Sequence, residues 1–380
     1  MSTTTHLAAF RKELHQHPEV SGQERETAQR IIHFLEKLNP QELITSLGGT
    51  GVLATFGGKE AEPEILLRCE LDALPIQEIN TFAHASQSRG VSHKCGHDGH
   101  MAVLCGVAEW LSQQKNLHGK VHLLFQPAEE NGEGAKAVLA DSRFQLSPDW
   151  VFAFHNLPGY PLGQVVYREG TFTAAVNSLI FRFTGKTSHA AEPEHGINPA
   201  FAIAEILQKL DSLSLNDPSN VDMRVISVVH VSVGEEAYGI SAGAGELHLT
   251  LRCWDDERLR KLENDVKALV HEVAKAQKNQ VETSETQTFF ANTNDAQAAQ
   301  LVEKACVEKA LDSYKRPYPF KWGEDFGLFT NQFRGCMFGI GAGEDCPALH
   351  NPDYDFPDAI IPVGVQAFTG IIQTLQKAHV

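Results

Sequence analysis

Val121-His122-Leu123-Leu124-Phe125-Gln126-Pro127-Ala128-Glu129-Glu130 opens as an apolar run and ends, just past a proline, in two adjacent carboxylates. Five residues with almost no polar alternation predict a strand covered on both faces, which is the pattern of a parallel sheet between helices. Pro127 has no amide to give a ladder and stops the strand. The same design recurs on either side. Glu64-Ile65-Leu66-Leu67-Arg68-Cys69 runs into Glu70-Leu71-Asp72, and Trp150-Val151-Phe152-Ala153-Phe154 runs into His155-Asn156-Leu157-Pro158. Helical spacing over 7–17, 23–38 and 101–114 separates these strands, so the expected class is α/β with a mostly parallel sheet. Asp72, Glu129, Glu130 and His155 are then expected just beyond strand C-termini, the edge at which open α/β sheets bind ligands.

A second stretch supplies other chemistry. Ser92-His93-Lys94-Cys95-Gly96-His97-Asp98-Gly99-His100 holds a thiol, three imidazoles and a carboxylate within nine residues, directly before an apolar helical run at Met101. Thiolate and imidazole are ligands for zinc and its neighbours. A helix start would favour the thiolate at Cys95. Adjacent side chains diverge from an extended backbone, so Glu130 could hold a metal while Glu129 faces a water whose proton it takes. Asp98 and His100 read instead as braces of the loop and helix start.

From Val176 the pattern changes. Four separate strands and two helices, at 198–213 and 255–276, fit an inserted α+β domain with an antiparallel sheet over 176–290. Residues 1–175 and 291–380 form the two parts of the catalytic domain around it. A hydrophobic content of 42% can fill both cores. The formal charge of −16 disfavours nucleic acid or an anionic membrane surface as partner. Seven scattered cysteines argue against a disulfide framework. With no charged-then-apolar leader and no apolar run approaching membrane-spanning length, the expectation is a cytoplasmic protein without membrane association.

Taken together, Glu13-Leu14-His15-Gln16-His17-Pro18-Glu19, Asp72-Ala73-Leu74-Pro75, Cys95-Gly96-His97-Asp98-Gly99-His100, Gln126-Pro127-Ala128-Glu129-Glu130, His155-Asn156-Leu157-Pro158, Ser188-His189-Ala190-Ala191, Gly323-Glu324-Asp325-Phe326 and Leu349-His350 resemble the aminoacylase and amidohydrolase family of two-metal peptidases. That family includes hippurate hydrolase, indole-acetyl-amino-acid hydrolases and acetyldiaminopimelate deacetylase. The resemblance implies a catalytic domain of zinc-peptidase type with an inserted lid and dimerisation domain. It implies Cys95, His97, Glu130, His155 and His350 as ligands of two divalent ions, zinc or manganese first, with cobalt or nickel as alternatives. Glu129 becomes the acid/base and Asp72 a carboxylate that orients a ligand. A metal-activated water would then cleave the amide of N-acyl-amino acids or short peptide-like amides. By the same resemblance the chain is a homodimer, His189 helps hold the oxyanion in the partner's site, and Arg252 anchors the substrate carboxylate. Where relatives carry Asn-Val-Ile-Pro, this chain reads Gly239-Ile240-Ser241-Ala242, which removes an amide from the expected substrate pocket.

Two rival readings stand beside this one. Gly239-Ile240-Ser241-Ala242-Gly243 has the spacing of a serine nucleophile elbow, with Asp325 and His350 following in the right order. A metal- or amino-acid-binding protein without activity is the other, and Glu129 argues against it, because a binding site needs no base.

Overall fold

The computed structural model describes residues 3–57 and 63–377 and divides into two compact units. One comprises residues 1–172, 292–317 and 324–380; the other comprises 173–291 with the short segment 318–323.

The first unit is built on an eight-stranded mixed sheet. Its order is Glu42–Leu47, Gly51–Gly57, Lys120–Gln126, Glu64–Glu70, Trp150–Pro158, Gly335–Gly343, Val165–Tyr167 and Ser313–Lys315. The central pairings, Glu64–Glu70 with both neighbours and Trp150–Pro158 with Gly335–Gly343, are parallel. Antiparallel strands join towards the margins. Ile65, Leu66, Leu67, Val121, Leu123, Leu124 and Phe125 are all fully buried, which is why these strands show no polar alternation. The helix His97–Ser112 packs between Thr3–Gln16 and Ile361–Lys377. Almost its whole length is buried, so beyond the polar first turn of His97, Asp98 and His100 it is largely apolar around its circumference.

Several local expectations change. Helix His97–Ser112 begins four residues before Met101, inside the Cys/His stretch itself. His155 lies within a strand that continues to Pro158, because Gly339 of the parallel neighbour still pairs with it. Gly339–Gly343 completes that neighbouring strand. Glu42–Leu47, a half-exposed edge strand, had no legible pattern. One helical run, Asp358–Lys377, is long and apolar enough to cross a membrane by length and composition, which corrects the reading that no such run exists. Over half of that window is buried in this unit.

The second unit is a four-stranded antiparallel sheet ordered Arg224–Val233, Ala244–Cys253, Ala175–Thr184, Gln280–Phe289. Alternation turns Leu247, Leu249, Leu251 and Cys253 into a core shared with helices Pro199–Leu210 and Asp256–Ala276. Asn198 and Asp255 cap those helices, accepting from Ala200 N at 2.9 Å and Arg258 N at 2.8 Å. The two sheet edges differ. Gln280–Phe289 presents Glu282 and Glu285, whereas Arg224–Val233 exposes Val228, Val229 and Val231.

Candidate metal centre

The first unit gathers Asp72, Cys95, His97, Glu129, Glu130, His155 and His350 at one end of its sheet. Each arrives by a different local device. Gly96 precedes the first helical residue at φ +95°, and a Cβ there would sit 2.5 Å from Asn156 Oδ1, so only glycine fits between Cys95 and His97. Past Pro127 the chain turns through Ala128 at φ +51°, and Glu24 fixes that turn by accepting Ala128 N at 2.9 Å. Glu129 and Glu130 emerge from this elbow. His350, also at positive φ, is tied back by its own amide, which donates to Lys94 O at 2.8 Å, one residue before Cys95.

Ligand atoms from Cys95, His97 and His155 lie within 4.8 Å of one another, as do those of Cys95, Glu130 and His350, and those of His97, Glu129 and Glu130. Cys95, His97 and Glu130 each belong to two of these triads, so the three clusters form one continuous donor set. The hydrogen bonds orient the imidazoles outward. His97 Nδ1 donates to Asp72 O at 2.9 Å, and His155 Nδ1 donates to Asn156 O at 2.9 Å. In each case Nε2 is left as the lone-pair face. Asp72 Oδ2 accepts from Glu130 N at 3.0 Å and from Ser21 Oγ at 2.7 Å, so this residue holds both His97 and Glu130 in place.

The chemistry of the donor set fits divalent metal. His97 Nε2 and Glu130 Oε1 are buried with no hydrogen-bond partner. Burial first, then the carboxylates of Glu130 and Glu129, push the Cys95 thiol well above its usual range, so the helix start does not by itself produce a thiolate there. Burial, then Glu324, Glu130 and Asp325, likewise push Glu129 well up. Burial raises Glu130 to about 7 against the opposing pull of His97. Glu70, Glu129, Glu324 and Asp325 have one guanidinium among them, Arg68. A site with this excess of negative charge and inward-facing lone pairs is made for cations.

Some functional positions were not visible in the sequence. Arg68 lies fully buried, donating to Gln126 Oε1 at 3.0 Å, to Glu324 Oε1 at 2.9 Å, and to Glu70 and Asp325. Asp325 also accepts Ala135 N at 2.8 Å. His100, by contrast, reads from the sequence as a brace, and it is held at both ring nitrogens, by Glu70 at 2.6 Å and by Asn156 at 2.5 Å. A charge inside an otherwise apolar strand, as at Arg68, was the available signal.

Residues 189, 252 and 241 lie in the second unit. His189 is exposed, and its Nδ1 accepts Ala191 N at 3.0 Å, leaving Nε2–H as a donor. Arg252 is half-buried and donates to Lys321 O at 2.9 Å; among the described residues it forms no ion pair. Ser241 sits in a two-residue strand paired with Ser188 and is followed by another strand, not a helix. Asp325, the acid such a triad needs, is occupied by Arg68, Gln126 and Ala135. The elbow reading therefore fails.

The profile of peptidase family M20/M25/M40 matches residues 66–374. N-acetylcysteine deacetylase of Bacillus subtilis is 30% identical over 365 residues, 96% of this chain and 95% of that protein. Hippurate hydrolase of Campylobacter jejuni is 27% identical over 357 residues, covering 93% and 92%. The crystal structure of Bacillus subtilis YXEP protein, described as a dinuclear metal binding peptidase, superposes with a TM-score of 0.84 at 28% identity over 99% of both chains. Fold, matched profile and full-length similarity agree, and the chain belongs to peptidase family M20/M25/M40.

Proposed function

We propose that this protein is a metal-dependent amidohydrolase that cleaves N-acyl-amino acids to a carboxylic acid and a free amino acid. The observation that carries the reading is the Glu129–Glu130 elbow beside the unpartnered Nε2 of His97, 3.9 Å from Glu129 Oε2. A binding protein needs ligands but no second buried carboxylate aimed at the same point. The names of the similar proteins, deacetylases of N-acetylcysteine and N-acetyldiaminopimelate and a hydrolase of hippurate, support an N-acyl-amino acid as substrate.

In this reading Cys95, His97, Glu130, His155 and His350 would hold two divalent ions, zinc or manganese, with cobalt or nickel as alternatives. Bound there, the ions would polarise the substrate carbonyl and acidify water. Glu129 takes a proton from the attacking water and returns one to the leaving amine nitrogen; its raised pKa suits an acid as well as a base. Asp72 keeps His97 in the tautomer that presents Nε2. Arg252, free of any protein carboxylate among the described residues, would bind the α-carboxylate in a bidentate fork. The exposed apolar edge at Val228, Val229 and Val231 supports a homodimer formed through this strand, with His189 serving the partner's site.

One experiment tests both halves. Glu129→Gln should retain two metals per chain while turnover falls by at least about a hundredfold. Mixing it with inactive His189→Ala subunits should restore activity, since a mixed dimer contains one complete site. Full activity of Glu129→Gln alone would overturn the role of Glu129, and no rescue after verified subunit exchange would overturn the dimeric site.

A further inference from the structure

The first two helices of the chain, Thr3–Gln16 and Arg25–Glu36, border a cavity of about 280 Å³ lined by Phe10, Glu13, Arg30, His33, Phe34 and Lys37. Helical spacing explains the gathering. Positions 10 and 13 are one turn apart on the first helix, and positions 30, 33, 34 and 37 fall at i, i+3, i+4 and i+7 along the second, so each set shares a face. That face is not the one that fills the core, because the second helix buries Thr27, Ala28, Ile31 and Leu35. The stripe at the cavity carries two cations and an aromatic ring.

The lining divides by chemistry. Phe10 and Phe34 are both half-buried, with ring centroids 4.9 Å apart and planes at 31°, and they form an apolar wall. The polar side is cationic. Arg30 Nε lies 3.6 Å from Glu13 Oε1, beyond hydrogen-bond range, and Glu13 is 55% exposed, so water screens this pair and it holds the guanidinium loosely. Arg30 Nη1 is buried with no hydrogen-bond partner, in a side chain only 23% exposed. A guanidinium held this way keeps its fork of donors for something else. Lys37 is exposed and adds a second cation, while His33 is tied at Nδ1 to Gln29 O at 2.9 Å. With His33 neutral, two cations meet one carboxylate, an excess of one positive charge in a chain of charge −16.

We propose that this cavity binds a small aromatic monocarboxylate, with its ring against Phe10 and Phe34, its carboxylate in the fork of Arg30, and Lys37 adding charge. A planar carboxylate matches the guanidinium fork in two parallel hydrogen bonds. The volume lies at the lower bound of ligand pockets, which suits a single ring with a short polar group. Inorganic phosphate would bring charge but no surface for the phenyl rings, and a neutral aromatic would leave the guanidinium unpaired. No ligand of the metal centre lines this cavity, and the proposal does not depend on the reaction assigned to that centre.

The test titrates the metal-loaded protein calorimetrically with benzoate, acetate, benzyl alcohol and inorganic phosphate at equal ionic strength. Saturable binding of benzoate is expected, with acetate and benzyl alcohol each at least about tenfold weaker, since one lacks the ring and the other the charge. Arg30→Gln and Phe34→Ala should each weaken benzoate binding by about tenfold. Lys37→Gln, a change at an exposed side chain that leaves folding undisturbed, should weaken it by about threefold. Benzoate affinity unchanged in Arg30→Gln and Lys37→Gln would place the ligand elsewhere, the metal centre included, and overturn the site. Benzyl alcohol or acetate binding as tightly as benzoate would overturn the ligand class, and no saturable binding of benzoate would overturn the proposal outright.

Discussion

Cys95 and His97 border two buried polar regions that share one loop but are completed differently. On the side of the N-terminal helix, Arg11 donates to Asp98, Asp355 and Asp358; His15 bridges Asp98 at 2.8 Å and Glu78 at 3.1 Å. Lys94 reaches Glu78 and Tyr354 O. There the chain itself supplies a cation for every cluster of carboxylates. On the other side, Glu70, Glu129, Glu324 and Asp325 share Arg68, while Asp72 and Glu130 add charge beyond it, and the lone pairs of His97 and Glu130 meet no donor. Buried charge without protein partners is too costly to retain unless something else arrives. The contrast separates a structural network from a binding centre, although both use histidine and carboxylate.

The largest expected effect comes from breaking the matched side. Asp98→Asn takes from Arg11 and His15 the fully buried carboxylate they share, leaving them Asp355, Asp358 and Glu78, and should destabilise the protein by about 3–5 kcal/mol, measured as denaturant melts in chelator. Glu130→Gln on the unmatched side should raise metal-free stability, because it removes repulsion among the glutamates. If both substitutions shift stability in the same direction, the distinction between the regions collapses.

Metal removal sharpens the same contrast. Ions bound at a thousandfold above their dissociation constant would stabilise the fold by about 4 kcal/mol, so chelation should lower the melting temperature markedly. That gap should persist in Asp98→Asn and shrink in Glu130→Gln. An undiminished gap in Glu130→Gln would remove Glu130 from the ligand set.

The smallest effect is in pH dependence. Burial opposes the charge on His15, but Asp98 and Glu78 raise its pKa from 6.5 to about 9. Its contribution is therefore fully present below pH 6.5 and lost as pH rises through 9. Glu130, raised from 4.5 to about 7, favours the folded state while protonated, and that contribution is lost between those values. Metal-free melts should show both limbs and metal-loaded melts only the upper one. Replacing His15 by Gln should flatten the upper limb; an unchanged limb would assign it to another group.

The sequence by itself determined the strands that are covered on both faces, because total burial leaves an unbroken apolar run, as at Val121–Phe125. It also determined the ligand types, since thiol, imidazole and carboxylate at strand and helix ends have few structural uses together. Helix caps at Asn198 and Asp255 were readable for the same reason: their partners lie within three residues. Only the tertiary structure decided that His155 belongs to its strand, because the neighbour that extends it lies about 180 residues away in sequence. The same holds for Arg68, whose partners come from positions 70, 126, 324 and 325, and for Glu24, which fixes the elbow at Ala128. Which of several histidines is a ligand and which a brace depended on what met each ring nitrogen. Those meetings are long-range contacts, and no local pattern encodes them.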